Sequence, residues 1–455
     1  MVHPPGPRPI ATAALLLCLV AACTGRPAPA PEPDRALLVR EAFRHAWRGY
    51  ERYAWGHDEL RPLTAGARDW HAQSLLMTPV DAFDTMLLMG LDSEAARAKA
   101  IILERLSFDR DFPVQVFEVT IRMLGGLITG YQMDGDERFL RLAVDLANRL
   151  LPAFDSPTGM PYRFVHLRTG AVSGPVSNPA EIGTLMLEFG ALTKLTGDSR
   201  YYDRAKRAAT ALYERRSPLG LVGSTINVET GAWVDRTSHV SGGIDSWYEY
   251  LLKSWRLFGD QDFRRMWETS IAAANRYLPD QRASGYWYGR VNMDSGERTA
   301  TRFGALDAFL PAVLVLGGDR ARAQRLMASV FRMWTEFGIE PEELDYVTMR
   351  PVAVQYVLRP EAIESAYYLF RLTGEERWRD MGRVMVDSVL HYTRTEHGFA
   401  ALRSVVTKEQ NDRMESFFLA ETLKYAWLLF APAEKLDLNA VVFNTEAHPI
   451  HRTWR

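Results

Sequence analysis

The chain has only two cysteines, Cys18 and Cys23, and both fall among its first 23 residues. Beyond them there is no disulfide, no thiolate nucleophile and no cysteine-held metal. Charge of one sign is lacking too: the net charge is -2 and no long basic run occurs, so a nucleic-acid partner has no electrostatic basis. His-x-x-x-His pairs, a glycine-rich phosphate loop and a Gly-x-Ser-x-Gly elbow are absent, which leaves out the chemistries those motifs carry. No EF-hand pattern follows Asp134-Gly135-Asp136. The apolar run from Ile10 to Val20 is too short to span a bilayer as a mature anchor.

That run reads instead as the core of a targeting segment, with Arg8 supplying positive charge ahead of it. Val20-Ala21-Ala22-Cys23 has the form of a bacterial lipobox, so residues 1–23 are expected to be a lipoprotein signal peptide with Cys23 lipidated. An ordinary signal peptide cut near Ala22 is the alternative. Residues 24–35 are Pro/Ala-rich and suit an extended tether. The expectation is a monomer exported to the periplasmic or surface face of a bacterial outer membrane, touching the membrane only through a lipid anchor.

What the remainder has in quantity is helical periodicity. Apolar residues recurring every 3.6 positions predict fourteen helices, over 36–54, 78–90, 92–107, 115–133, 137–151, 180–196, 199–215, 245–258, 261–278, 303–317, 319–337, 361–373, 376–393 and 413–430. A Gly-acid turn recurs at Gly135, Gly197, Gly259, Gly318 and Gly374, at intervals of 62, 62, 59 and 56 residues. Glycine closes one helix and the acid opens the next, so the repeating unit is a helical hairpin plus a loop. Even-numbered helices connect onward through two or three residues, odd-numbered ones through segments such as 216–244, 279–302 and 338–360. Every long loop therefore falls on one rim, together with the N-termini of the even helices. Seven hairpins closing on themselves make an all-α (α/α)7 barrel; an open solenoid and a six-hairpin barrel with an extra pair are the alternatives.

Each even helix carries acid in or near its first turns: Asp81 and Asp84, Glu118, Glu181, Asp245, Asp307, Glu361 and Glu364, Glu415. Complementing a helix dipole explains one such residue. It explains less well a carboxylate among apolar neighbours, as in Val116-Phe117-Glu118-Val119 or Ala362-Ile363-Glu364. Glu118 and Arg122 share a helix face at i, i+4, a spacing that equally suits a plain ion pair. Pro360 is placed to start a helix and so fixes Glu361 at the rim. Carboxylates converging among 12 Trp, 18 Tyr and 21 Phe are the equipment of glycoside hydrolysis, although most rings in any chain are core packing.

At these same residues the sequence resembles glycoside hydrolase family 47, the class I α-1,2-mannosidases. The matching segments include Val80-Asp81-Ala82-Phe83-Asp84-Thr85, Phe117-Glu118-Val119-Thr120-Ile121-Arg122, Ala180-Glu181-Ile182-Gly183 and Gly243-Ile244-Asp245-Ser246-Trp247. They continue through Leu358-Arg359-Pro360-Glu361-Ala362-Ile363-Glu364-Ser365, Met414-Glu415-Ser416-Phe417-Phe418 and Phe443-Asn444-Thr445-Glu446-Ala447-His448-Pro449. The match runs from about residue 36 to 449 in order. The resemblance implies an (α/α)7 barrel with short β-hairpins in its loops, a C-terminal hairpin plugging it, a bound Ca2+ and hydrolysis with inversion.

Carried over by motif, Glu118 corresponds to the general acid, acting through a water, and Glu361 to the base, with Asp245 an essential carboxylate and its rival. Thr445 corresponds to the calcium ligand and Phe417 to a ring stacked beneath the terminal mannose. Arg122, Arg359, Glu181, Glu364 and Glu421 resemble residues that contact the sugar or order water; Glu415 and Asp84 match less firmly. Arg359 near Glu361 and apolar burial of Glu118 are expected to keep the base ionised and the acid protonated.

Two departures bear on specificity: Ala305 stands where processing mannosidases usually carry His, and Gly243 where their endoplasmic-reticulum members carry Arg. Both resemble the ER-degradation mannosidase-like subgroup. The implied substrate is terminal α-1,2-linked mannose on oligomannose glycans or mannans. The competing reading is a lectin-like mannoside binder with weak or lost turnover on the same fold.

Overall fold

The computed structural model describes residues 1–4, 6 and 31–454. The lipobox, Cys23 and most of the tether lie outside the described residues. The first helix, Pro33–Tyr53, begins inside the stretch expected to be tether. Pro33 pre-sets its first turn, Glu32 donates its N–H to the Phe430 carbonyl at 3.0 Å, and the Glu32 carboxylate meets Arg379 and Arg383 at 3.1 and 2.6 Å.

Among the described residues fourteen helical rods follow in the expected order, counting interrupted ones once. Helices Asp245–Phe258 and Glu361–Thr373 match their predicted limits. The turn logic also holds: Gly135, Gly197, Gly259 and Gly374 close their helices at positive φ. Asp136, Asp198, Asp260 and Asp319 each accept a backbone N–H two or three residues on.

The even-numbered helices are buried on nearly every side, while the odd-numbered ones are amphipathic. Even helices touch one another in sequence, and the last, 418–430, returns to pack on Met77–Met89. The inner ring is therefore closed, six outer helices pack on their hairpin partners and Pro33–Tyr53 on the last inner helix, and the architecture is the (α/α)7 barrel. The long loops form two- and three-stranded antiparallel sheets that stitch successive loops together, such as Thr237–Ser238 with Arg290–Asn292. One consequence corrects a boundary: Arg302–Gly304, expected to open a helix, is a strand paired with Glu343–Asp345, and the helix starts at Leu306.

Three inner helices are also less regular than their periodicity suggests. Residues 116–134 contain a π turn at Thr120–Leu124, residues 418–430 open with one at Phe418–Thr422, and residues 179–196 break at Thr184 and Leu185. The last helix was expected from 413, but Met414 instead bridges to Leu60 in an extended pairing.

The C-terminal hairpin, Val441–Phe443 against Pro449–His451, enters the barrel between the 116–134 helix and Asp245–Phe258. Asn444 pins its tip. The side-chain amide donates to the Ile121 carbonyl and to Glu188, each at 2.8 Å, and its oxygen accepts the Glu446 and His448 N–H groups at 3.0 and 2.8 Å. Gly125 and Gly126 make the room: a Cβ on either lies within 3.2 Å of Asn444, His448 or Val80 atoms.

Candidate active site

The inner helices' first turns, the loop hairpins and the C-terminal hairpin enclose a cavity of about 510 Å3, a usual size for a small-ligand site. All ten residues singled out as catalytic, substrate-binding or metal-binding line it: Glu118, Arg122, Glu181, Asp245, Arg359, Glu361, Glu364, Phe417, Glu421 and Thr445. They come from separate parts of the chain and only the closed ring brings them together. Asp245 and Glu361 are each the first residue of an inner helix, and Thr445 sits at the hairpin tip. Arg122 and Glu421 each occupy a π turn, the kind of local widening that recurs at functional sites.

Arg122 is buried and joins several elements. Its Nε donates to Oε2 of Glu118 at 2.9 Å, its Nη2 makes an ion pair with the same oxygen at 2.9 Å, and its Nη1 pairs with Glu446 and lies 3.6 Å from Asp81. Glu118 is thus not sealed among apolar side chains as expected. Its side chain is 23% exposed to the cavity and held by the guanidinium fork. The i, i+4 spacing sets Arg122 beside it, on the same side of the rod.

The guanidiniums of Arg122 and Arg359 also lie 5.5 and 5.6 Å from the Phe417 ring centroid, so two cations help to fix this ring, which lines the cavity. Arg359 in turn is gripped by Glu342, at 2.5 Å.

The carboxylates differ in environment. Burial pushes Asp245 up to about 8, opposed by the Ser246 N–H that it accepts at 2.9 Å. Burial also pushes Glu361 up to about 7, with the nearby Arg359 charge restraining the rise. Oε2 of Glu361 is buried without a hydrogen-bond partner. Glu364, which accepts from the Tyr425 hydroxyl at 3.2 Å, is raised to about 8 by burial, and Glu421 is raised well above the usual carboxylate range by burial and neighbouring carboxylates. Glu181 is the most fully bonded, by Gln115 at 2.8 Å, Arg163 at 2.9 Å and Ser177 at 3.1 Å.

Several lining residues lay beyond sequence reasoning. Glu446 faces the cavity because the hairpin inserts, and Arg163 arrives on a loop just before the strand Phe164–His166. Glu446 lay inside a matching segment but was given no role, and Arg163 has no local signature. Glu249, one helical turn after Asp245 and paired with Lys253, was visible as an i, i+4 neighbour but had no assigned role.

Asp84 and Glu415 do not line the cavity. Glu415 pairs with Arg413 and lies beside Glu59, whose carboxyl is pushed up to about 8 by burial and by Glu415. Asp84 is buried against Lys424 at 2.8 Å and His448 Nδ1 at 2.6 Å, with Thr129 donating at 3.0 Å. Burial opposes ionisation of both partners, yet the neighbouring charges win: Asp84 is held down at about 2, and His448 is carried up to about 9. The histidine contribution to stability is complete below its unfolded value of about 6.5 and is lost as pH rises through about 9. The aspartate contribution is present above 3.8 and is lost as pH falls through about 2. Thermal melts across pH should therefore show this cluster's support strongest between about 4 and 6.5, with His448→Gln flattening the alkaline side.

Comparison with known proteins agrees with this arrangement. The family model for glycosyl hydrolase family 47 matches residues 42–452. The chain is 38% identical over 441 residues to alpha-mannosidase I MNS5 of Arabidopsis thaliana, covering 90% of this chain and 76% of that protein. It is 37% identical over 476 residues to human ER degradation-enhancing alpha-mannosidase-like protein 2, covering 96% and 81%. The solved structure of an alpha-1,2-mannosidase from Trichoderma reesei superposes with a TM-score of 0.86 at 29% identity, over 93% of this chain and 100% of that one.

Proposed function

The chain belongs to glycosyl hydrolase family 47, and from that membership we propose that it is an exo-acting α-1,2-mannosidase that hydrolyses terminal mannose with inversion. The observation that carries the reading is the convergence of Glu118, Asp245 and Glu361 on one cavity with Arg122, Arg359, Phe417 and Thr445. A binder needs the ring and the guanidiniums; three further carboxyls, Glu118, Asp245 and Glu361, on the same cavity are what acid–base hydrolysis needs.

Glu118 acts as the acid. It passes a proton, through a water, to the glycosidic oxygen as the C1–O bond breaks, and Arg122 holds the carboxyl in place throughout. Glu361 acts as the base, taking a proton from the water that attacks C1 on the opposite face. A carboxyl poised near 7 suits that task at neutral pH. Asp245, also raised by burial and by the neighbouring Glu361 charge, takes the second role of holding a sugar hydroxyl. The acid limb of kcat/KM is therefore expected near pH 7, activity falling as Glu361 takes up a proton; a limb below 5 in a pH–rate profile refutes the assignment.

A calcium ion is part of this proposal, and the residues present fit one. Thr445 offers a carbonyl and a hydroxyl at the hairpin tip, among Glu249, Glu364, Glu421 and Glu446. Burial and mutual repulsion raise Glu421 and Glu446 well above the usual range, the crowding of hard oxygen donors that a divalent cation relieves. Thr445 would hold the ion directly and the carboxylates would order its waters. When bound, it supplies a fixed positive charge that orients sugar hydroxyls.

Incubation with α-1,2-mannobiose, followed by NMR with and without a chelator, tests the whole. First-formed β-mannose that disappears on chelation is expected; α-mannose, or sugar binding without turnover, refutes it. Lipid anchorage at Cys23 remains part of the proposal and is checked by the mass of the mature N-terminal peptide, wild type against Cys23→Ser.

A further inference from the structure

Behind Glu361 lies a carboxyl that the chemistry above does not use. Glu340 follows the helix Arg320–Phe337, between Ile339 and Pro341, two residues before the Glu342 that grips Arg359. It is 0% exposed, and neither of its oxygens meets a hydrogen-bond donor. Glu361, Glu342 and Arg359 are the charged groups that face it. The Tyr356 ring, also wholly buried, feels both Glu340 and Glu361, and its hydroxyl is committed to the Arg359 carbonyl at 3.1 Å. Trp334 packs edge-on to Tyr356 at 5.9 Å and leaves its indole N–H buried and unbonded.

Three carboxylate oxygens and one N–H around a single tyrosine thus lack partners, where nearly all buried polar groups have one. An ionised Glu340 here is ruled out by cost: among the described residues Arg359 is the one cation that faces it, and Arg359 is taken by Glu342. A neutral carboxyl, by contrast, brings an O–H donor. The acceptor that needs one is Oε2 of Glu361.

We propose that Glu340 is a positioning residue for the base: its neutral carboxyl donates, through an internal water, toward Oε2 of Glu361, and the Trp334 N–H serves the same water chain. The base is thereby held in one plane, with its other oxygen turned to the attacking water. The inference rests on the reading of Glu361 as base. A hydrogen bond to the ionised form also favours ionisation, so the pair keeps Glu361 available at lower pH.

Kinetics on α-1,2-mannobiose across pH test this, with wild type, Glu340→Leu and Glu340→Gln. The leucine variant is expected to move the acid limb up by about one unit and to lower kcat about tenfold with KM little changed. The glutamine variant, neutral and still a donor, should lose less than about threefold in kcat and leave the limb in place. A leucine variant with the wild-type limb reduces Glu340 to packing, and a downward shift in the glutamine variant means that Glu340 is ionised; either overturns the proposal. If the leucine variant does not fold, infrared difference spectra of wild type against Glu340→Gln decide: the C=O stretch of a protonated buried carboxyl must be present and then lost. Glu361→Gln separates the two readings, since full activity there removes the base assignment itself, whatever Glu340 does.

Discussion

Glu118→Gln is expected to lower kcat on α-1,2-mannobiose by about 10²- to 10⁴-fold while KM stays within about threefold. The geometry makes this substitution unusually clean. Both Arg122 contacts, the Nε hydrogen bond and the Nη2 ion pair, fall on one oxygen, Oε2, so an amide carbonyl can take that place and leave its NH2 where the other oxygen stood. Binding survives and only the proton is lost. A substrate that needs no protonation then separates acid from base: α-mannosyl fluoride should be turned over by Glu118→Gln but not by Glu361→Gln. Equal loss on both substrates refutes the acid role, because a missing proton donor cannot slow departure of fluoride. Unchanged turnover of the disaccharide refutes it directly.

How much of this was legible beforehand depends on whether a feature has a local signature. Glu361 and its helix were placed because Pro360 and the apolar period each mark the chain where they act. The barrel's handed-down logic of short and long connections was legible for the same reason. The two π turns were not, because widening a turn by one residue leaves no mark in composition, and Arg122 and Glu421 both sit in them; the Arg122–Glu118 pair itself was legible from its i, i+4 spacing. The expected apolar burial of Glu118 failed on that pair. The strand Arg302–Gly304 was hidden because its pairing partner lies some forty residues away, at Glu343–Asp345. Asp84 shows the opposite error: its motif matched, its acid sits on an inner helix, and yet its partners Lys424 and His448 make it part of the frame.

That frame carries the second large expectation. Asp84→Ala should destabilise the protein by about 3–5 kcal/mol, because it strands two buried cations rather than trimming a surface pair. Lys424 and His448 are both wholly buried, so neither can turn to water once the aspartate is gone. Lys424 also donates to the Ala447 carbonyl at 2.5 Å, and His448 is itself part of the hairpin, so the damage falls on the element that presents Thr445. Denaturant unfolding reads the loss of stability, and calcium titration by calorimetry reads the second consequence. Calcium affinity is expected to fall with Asp84→Ala although Asp84 does not line the cavity. Asp84→Asn, which keeps the shape and an acceptor but not the charge, should fall between wild type and alanine. Should the alanine variant match wild type in both measurements, the hairpin is held by its other anchors, Asn444 on Ile121 and Glu188, Arg122 on Glu446 and Gln132 on His451, and the buried ion cluster contributes nothing to seating the plug.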